Sequence, residues 1–211
     1  MKRACVVLGG GSDAVRTDGY DLVICADSGY SRLLPGERPD YIVGDMDSID
    51  HRSLERAKKA MIKMIIYPSD KDRSDGEAAL KLALAEGADD ITLEGTLGDR
   101  SDHLLTTFQL LHTVPKGIAC RLKLGNDRIM LVREGEDMVI THDAPIISLV
   151  PSCEGCVVST KGMRYDLRSE GLPLGTTRGI HNEPAGRAPT LSVHSGSVFL
   201  VLSGGSPLTA R

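Results

Sequence analysis

The sequence predicts two fold classes in succession: an α/β domain built on a mostly parallel sheet over residues 1–125, then an antiparallel β-sandwich domain over residues 126–211. Two patterns carry this reading. Up to about residue 125, short Val- and Ile-rich runs alternate with stretches of helical period, the signature of βαβ units. Beyond about 126 the helical period disappears, and closely spaced apolar runs remain, broken by Gly, Pro, Asp or Glu turns. The composition agrees: 41% hydrophobic and 26% charged residues over 211 positions describe an ordinary globular chain rather than a disordered one.

In the first half, buried strands are expected at Ala4–Leu8, Leu22–Cys25, Tyr41–Val43, Met61–Ile66, Ile91–Leu93 and Ile118–Leu122. Asp50 is placed to cap a helix running to Lys59. Residues 74–86 carry Ala78, Ala79, Leu82 and Ala85 on one helical face, and Ser74-Asp75-Gly76-Glu77 opens that stretch as a capping box. Residues 101–113 carry Leu104, Leu105, Phe108 and Leu111 on another face. In the second half, strands are expected at Arg128–Arg133, Asp137–Thr141, Ile146–Val150, Val157–Ser159, Arg164–Leu167, Leu191–His194 and Val198–Leu202. Fraying is expected at Ser206–Arg211.

Several function classes are disfavoured. The formal charge is −4, from 25 basic and 29 acidic residues, which argues against a nucleic-acid or anionic-membrane partner. No apolar run approaches the ~20 residues of a membrane-spanning helix. Ala4–Leu8 is too short for a signal-peptide core, so a cytoplasmic chain with free thiols is expected. Of the five cysteines, Cys153 and Cys156 have metal-ligand spacing, but no second ligand pair follows.

The chemistry lies in where the aspartates fall. Asp27 follows the second strand, Asp45 and Asp47 the third, Asp70, Asp72 and Asp75 the fourth, and Asp99 and Asp102 the fifth. In a parallel sheet these loops share one edge, where open α/β sheets bind ligands. Converging acids repel unless a cation neutralises them, and oxygen ligands suit Mg²⁺ or Mn²⁺. Mg²⁺ commonly shares its coordination with substrate phosphates, so a metal–polyphosphate site is expected. Asp45 and Asp47, two apart in an extended segment, would point to one side. Gly9-Gly10-Gly11 after the first strand would let backbone N–H groups approach a phosphate. Arg100, Lys71 and Arg73 are the nearby cations. Any single aspartate could equally be a turn former or cap, Ser74 could simply start its helix, and His103 reads as structural.

Five motifs stand in order along the chain: Ala26-Asp27-Ser28-Gly29, Pro39-Asp40-Tyr41-Ile42-Val43-Gly44-Asp45-Met46-Asp47-Ser48, Asp72-Arg73-Ser74-Asp75, Gly98-Asp99-Arg100-Ser101-Asp102-His103 and Gly179-Ile180-His181-Asn182-Glu183. Together they resemble the thiamine pyrophosphokinase family. Lys161–Leu167 is similar to a Tyr-containing strand of the same family, and the order holds from about residue 5 to 203. Ser28, Met46, Ser74, Asp99 and His181 depart from the family pattern, and the chain has no tryptophan.

The resemblance implies an α/β domain followed by a β-sandwich, and a homodimer with active sites at the subunit interface. It implies transfer of a diphosphoryl group from ATP to thiamine with Mg²⁺ (or Mn²⁺), leaving AMP. Under it Asp45, Asp47 and Asp75 are metal ligands, and Asp72, Arg100 and Asp102 are catalytic. Gly10, Gly11, Asp27, Ser28, Lys71 and Ser74 belong to the nucleotide region, and His181 and Asn182 contact thiamine. Either Asp72 or Asp102 would accept the proton of the attacking alcohol. The same carboxylates would also serve a pyrophosphokinase for another hydroxymethyl heterocycle such as a pterin, a phosphatase using Asp45-Met46-Asp47, or a non-enzymatic metal–nucleotide module.

Overall fold

The computed structural model describes residues 1–204 except Ser12, Ser69, Lys71, Asp99, His142, Asp143 and Arg187. The expectation of a frayed Ser206–Arg211 lies outside the described residues. The chain divides into two compact units at Leu124/Gly125.

In the first unit, strands β1 (Arg3–Val7), β2 (Leu22–Ala26), β3 (Tyr41–Gly44), β4 (Lys63–Ile66), β5 (Asp90–Glu94) and β6 (Ala119–Leu124) line up in the order β4-β3-β2-β1-β5-β6. Every neighbouring pair is parallel. The order reverses at β1: the chain steps outward to β4, then returns to start β5 on the other side. Such a switch point opens a crevice at the carboxyl ends of the strands. Helices α1 (His51–Lys59), α2 (Asp75–Ala85) and α3 (Ser101–Leu110) make the connections after β3, β4 and β5.

Both expected caps form. The Asp50 carboxylate accepts from the Ser53 N–H at 3.0 Å and from the Ser31 hydroxyl at 2.9 Å. Ser74 Oγ accepts from the Glu77 N–H at 3.2 Å. The helix faces differ from expectation. On α2 the buried residues are Ala78, Ala79, Leu80 and Ala83, while Ala85 is exposed. On α3 the buried residue is Thr107, and Leu105 is 67% exposed. Several apolar residues lie on both sides of each short helix, so spacing alone does not settle which stripe turns inward. The fourth strand starts at Lys63 rather than Met61, because Met61 adopts φ 52° and the Ile62 N–H closes back on the Ala57 carbonyl at the end of α1.

The second unit is antiparallel throughout. Strands β7 (Asp127–Arg133), β9 (Ile146–Pro151) and β13 (Ser197–Ser203) pair in the order β7-β13-β9. Strands β8 (Asp137–Val139), β10 (Cys156–Lys161), β11 (Glu170–Leu172) and β12 (Thr190–Ser195) form a sheet in the order β11-β10-β12-β8. Val132, Ile147 and Leu200 from the first set meet Val158, Leu172 and Leu191 from the second in one core. This is the expected sandwich of inward-facing alternate residues.

One expected strand is absent. Arg164–Leu167 is a loop, because the Asp166 carboxylate accepts the Met163 N–H at 2.9 Å and Leu167 folds back on Thr160. An aspartate that bonds backbone a few residues away favours a turn over a ladder.

All five cysteines are free thiols. Cys156 is buried in the sandwich core, and Cys153 accepts from the Ser197 hydroxyl at 3.4 Å.

Candidate active site

The carboxyl ends of the parallel strands open into a cleft of about 800 Å³. The loop after each strand from β1 to β5 contributes to its wall, including Gly10, Asp27, Ser48, Asp75 and Leu97. Arg100, at the N-terminal end of helix α3, and His103 and Thr106 within it add to the wall.

Three carboxylates meet there. Asp27, Asp45 and Asp75 each bring a carboxylate oxygen within 4.8 Å of the other two. Each comes from a different crossover: Asp27 directly follows β2, Asp45 directly follows β3, and Asp75 is the first residue of α2. Asp27 adopts φ 43°, a left-handed conformation that costs energy and turns the chain sharply from β2 into a short 3-10 helix, Asp27–Arg32. Gly44 makes the convergence sterically possible. A Cβ there would lie 2.9 Å from the Asp27 Cβ and 3.1 Å from Asp75 Oδ1.

Asp27 is 5% exposed. Its Oδ2 accepts the Ser48 N–H at 3.2 Å, while its Oδ1 is buried with no hydrogen-bond partner among the described residues. Burial raises its pKa above the ordinary carboxylate range; Ser48 opposes that rise, and the Asp75 and Asp47 charges add to it. A buried carboxylate oxygen left without a donor is costly. A hard divalent cation bound by carboxylate oxygens removes that cost, so the three residues fit Mg²⁺ or Mn²⁺.

The structure redistributes the aspartates named from the sequence. Of the three aspartates named as metal ligands, Asp45 and Asp75 lie in the cluster and Asp47 does not, and Asp27 is its third member. Met46 adopts φ 64°, so the segment after β3 turns instead of continuing extended, and the two-residue alternation of faces is lost. Asp47 is exposed, accepts the Ser48 hydroxyl at 2.8 Å and donates its own N–H to Asp45 Oδ1 at 3.2 Å. Asp72 is exposed outside the cluster. Lys71 and Asp99 lie outside the described residues.

Arg100 and Asp102 are exposed and face each other in a two-pronged ion pair, with contacts of 3.2 and 2.7 Å. The Arg100 guanidinium holds the Asp102 carboxyl down at about 2. Ser28 and Ser74 line the cleft, Ser74 while also capping α2. His103, read as structural, is exposed and lines the cleft. Neither it nor Arg32 was marked by its local sequence as a cleft residue; each becomes visible once its helix is placed at the sheet rim.

Gly10 and Gly11 also line the cleft, but the Gly10 N–H is already donated to the Gly95 carbonyl at 2.8 Å. A Cβ on Gly10 would lie 2.7 Å from that carbonyl oxygen, and one on Gly11 would lie 2.5 Å from the Leu97 carbonyl oxygen. The glycines therefore let the loops after β1 and β5 interlock at the switch point. The Gly10 amide is not left open for phosphate.

In the second unit, Asn182 and His181 differ sharply. Asn182 is 8% exposed, and its side chain makes three hydrogen bonds to backbone. Its Oδ1 accepts the Tyr165 N–H at 3.1 Å and the Glu183 N–H at 3.0 Å, and its Nδ2 donates to the Tyr165 carbonyl at 2.7 Å. It pins the Tyr165 loop. His181 is exposed at φ 58°, with its N–H donated to Ser148 Oγ at 3.0 Å. Tyr165 itself is 60% exposed.

The comparisons with known proteins agree with this architecture. A family model described as "Thiamin pyrophosphokinase, catalytic domain" matches residues 16–122. Another, "Thiamin pyrophosphokinase, vitamin B1 binding domain", matches residues 132–198. The chain is 32% identical to a thiamine pyrophosphokinase of Bacillus subtilis (strain 168), over 96% of this chain and 99% of that protein. A crystal structure of thiamine pyrophosphokinase from Bacillus subtilis superposes with a TM-score of 0.85 at 30% identity, covering 95% of this chain and 98% of that one. The yeast enzyme, at 18% identity and a TM-score of 0.78 over 95% of this chain and 85% of that one, supports the fold. The chain belongs to the thiamin pyrophosphokinase family.

Proposed function

We propose that the chain transfers the β,γ-diphosphoryl group of ATP to the hydroxyl of thiamine, giving thiamine diphosphate and AMP. The observation that carries this reading is the Asp27–Asp45–Asp75 cluster at the switch-point cleft, in which the buried Asp27 Oδ1 has no hydrogen-bond partner among the described residues. Membership in a transferase family supplies the reaction class.

In this reading Asp27, Asp45 and Asp75 hold the metal. A Mg²⁺ held there would offset the charge on the phosphate oxygens while the thiamine hydroxyl oxygen bonds to the β-phosphorus and the bond from that phosphorus to the α,β-bridging oxygen breaks, releasing AMP. The chain's residues then position the reactants. The Gly10–Gly95 and Gly11–Leu97 contacts keep the cleft floor rigid against the nucleotide. Arg100, oriented by Asp102, offers its remaining donors to the transferring group. Either Asp72 or Asp102 would take the proton of the alcohol, and the Arg100 guanidinium, by lowering the Asp102 carboxyl, weakens Asp102 as an acceptor. A loose transition state needs little base strength, and positioning carries most of the rate.

Thiamine is taken by the second unit, whose matched family model is named for vitamin B1 binding. Tyr165 offers an exposed ring for stacking and His181 an exposed imidazole, while Asn182 acts by holding their loops. The reading includes a cytoplasmic homodimer, in which the His181–Asn182 segment of one copy completes the vitamin site of the other. Sedimentation of the purified chain checks the dimer.

The deciding experiment is mass spectrometry of the products from Mg-ATP and thiamine. The expected products are AMP and thiamine diphosphate. ADP with thiamine monophosphate would contradict diphosphoryl transfer, and turnover of a hydroxymethylpterin in place of thiamine would contradict the acceptor.

A further inference from the structure

We propose that Arg32 binds the polyphosphate chain of the nucleotide, a role that rests on the proposed use of ATP. Arg32 ends the 3-10 helix that Asp27 begins, and it lines the same cleft. At ~2 Å of rise per residue the two lie roughly 10 Å apart along that helix. The helix thus offers a metal-binding acid at one end and a guanidinium at the other. Its seat is tight: a Cβ at Gly29, midway along it, would collide with the Val7 carbonyl oxygen at the end of β1.

The state of the guanidinium carries the argument. Arg32 is half-buried, and its Nη2 donates to the Gly9 carbonyl at a long 3.3 Å. No carboxylate among the described residues lies within ion-pair distance of it. The cleft's other arginine, Arg100, is already matched by Asp102 in two contacts. Of the two arginines in the cleft wall, only Arg32 has its charge uncompensated by a carboxylate among the described residues.

A half-buried cation beside a carbonyl needs an anion to offset its desolvation, and its planar fork fits phosphate oxygens. The electrostatics ask for the same thing. Three carboxylates outweigh the two charges of one divalent ion, so a polyphosphate entering the cleft needs a further cation. The Gly9 contact fixes the arm while leaving the other donors of the five-donor fork for the ligand.

The test is equilibrium binding of ATP, AMP and adenosine in the presence of Mg²⁺ and without thiamine, on wild type, Arg32→Gln and Arg32→Lys. Arg32→Gln should weaken ATP by about ten- to a hundredfold and leave adenosine unchanged. Arg32→Lys, which keeps the charge and loses the fork, should fall between. If ATP binds both variants as it binds wild type, the assignment is overturned. It is equally overturned if adenosine weakens as much as ATP, because Arg32 would then only shape the Gly9 loop. Should Arg32→Gln melt below the assay temperature, Arg32→Lys decides by the same two criteria. A wild-type chain that binds ATP but releases no AMP with thiamine would sink the proposed reaction while leaving the Arg32 contact to be judged on the variants.

Discussion

Asp27 and Asn182 are both buried polar side chains, one in each unit, and they are buried for opposite reasons. Asn182 spends its amide on three contacts to backbone, and each is a hydrogen bond within its own unit. Asp27 keeps an oxygen without a donor among the described residues and is crowded by Asp45 and Asp75. A satisfied buried group stabilises the fold, and an unsatisfied one among like charges stores cost that a ligand can relieve. The difference separates a structural staple from a ligand site, although both residues stand in motifs that resemble the same family's.

The largest effect that would sharpen this contrast is on the acids. Asp27→Asn, Asp45→Asn and Asp75→Asn should each lower AMP release by about 10²–10³-fold while the melting temperature holds or rises. Retained activity in any of the three would break the distinction. Next comes Gly44→Ala, whose new Cβ would press 2.9 Å from the Asp27 Cβ. A displacement of that order should cost up to about 10²-fold in kcat with little loss of secondary structure by circular dichroism.

Asn182→Ala tests the other side. It strips donors and acceptors from the backbone of Tyr165 and Glu183, so it should destabilise the chain by about 1–3 kcal/mol in a urea melt. The KM for thiamine should rise only through the loosened Tyr165 loop. A variant of wild-type stability with a raised KM would make Asn182 a direct substrate contact instead. Asp47→Asn should reduce turnover far less than Asp45→Asn, because Asp47 stands exposed outside the cluster; equal losses in a steady-state assay would restore the extended pairing expected from the sequence.

The smallest effect concerns acid. Asp50, held at about 2 chiefly by its hydrogen bond with Ser53, and Asp102, held there by Arg100, both have depressed native pKa values. Their stabilisation is complete above the ordinary carboxylate range near ~4 and is lost as pH falls through about 2. NMR titration of the two carboxyls should show both midpoints well below those of unpaired aspartates. Midpoints near ~4 would mean that neither cap nor ion pair persists in solution.

The parallel sheet was legible because its central strands β1, β2 and β5 are short apolar runs buried along nearly their whole length. The outer strands β4 and β6, also expected to be buried, are largely not, because within this unit each has a neighbouring strand on one side only. The meeting of acids at one rim followed from topology alone. Which acids meet did not follow, because that depends on single backbone angles. Met46 at φ 64° turns Asp47 out, and Asp27 at φ 43° starts the helix that brings Arg32 to the cleft. The Arg164–Leu167 loop and the Asn182 staple were also invisible. They are made by contacts such as Asp166 to Met163 and Asn182 to Tyr165, which no hydrophobic period records. Likewise Gly9-Gly10-Gly11 looks like a phosphate loop in sequence, and only its partner Gly95–Gly98 shows that Gly10 and Gly11 serve close packing.

The most direct measurement is Mn²⁺ binding followed by electron paramagnetic resonance on wild type and single aspartate variants. Tight binding should be present in wild type, Asp47→Asn and Asp72→Asn, and lost in Asp27→Asn, Asp45→Asn and Asp75→Asn. Binding that survives Asp27→Asn and disappears in Asp47→Asn would contradict the assignment of the ion to the Asp27–Asp45–Asp75 cluster.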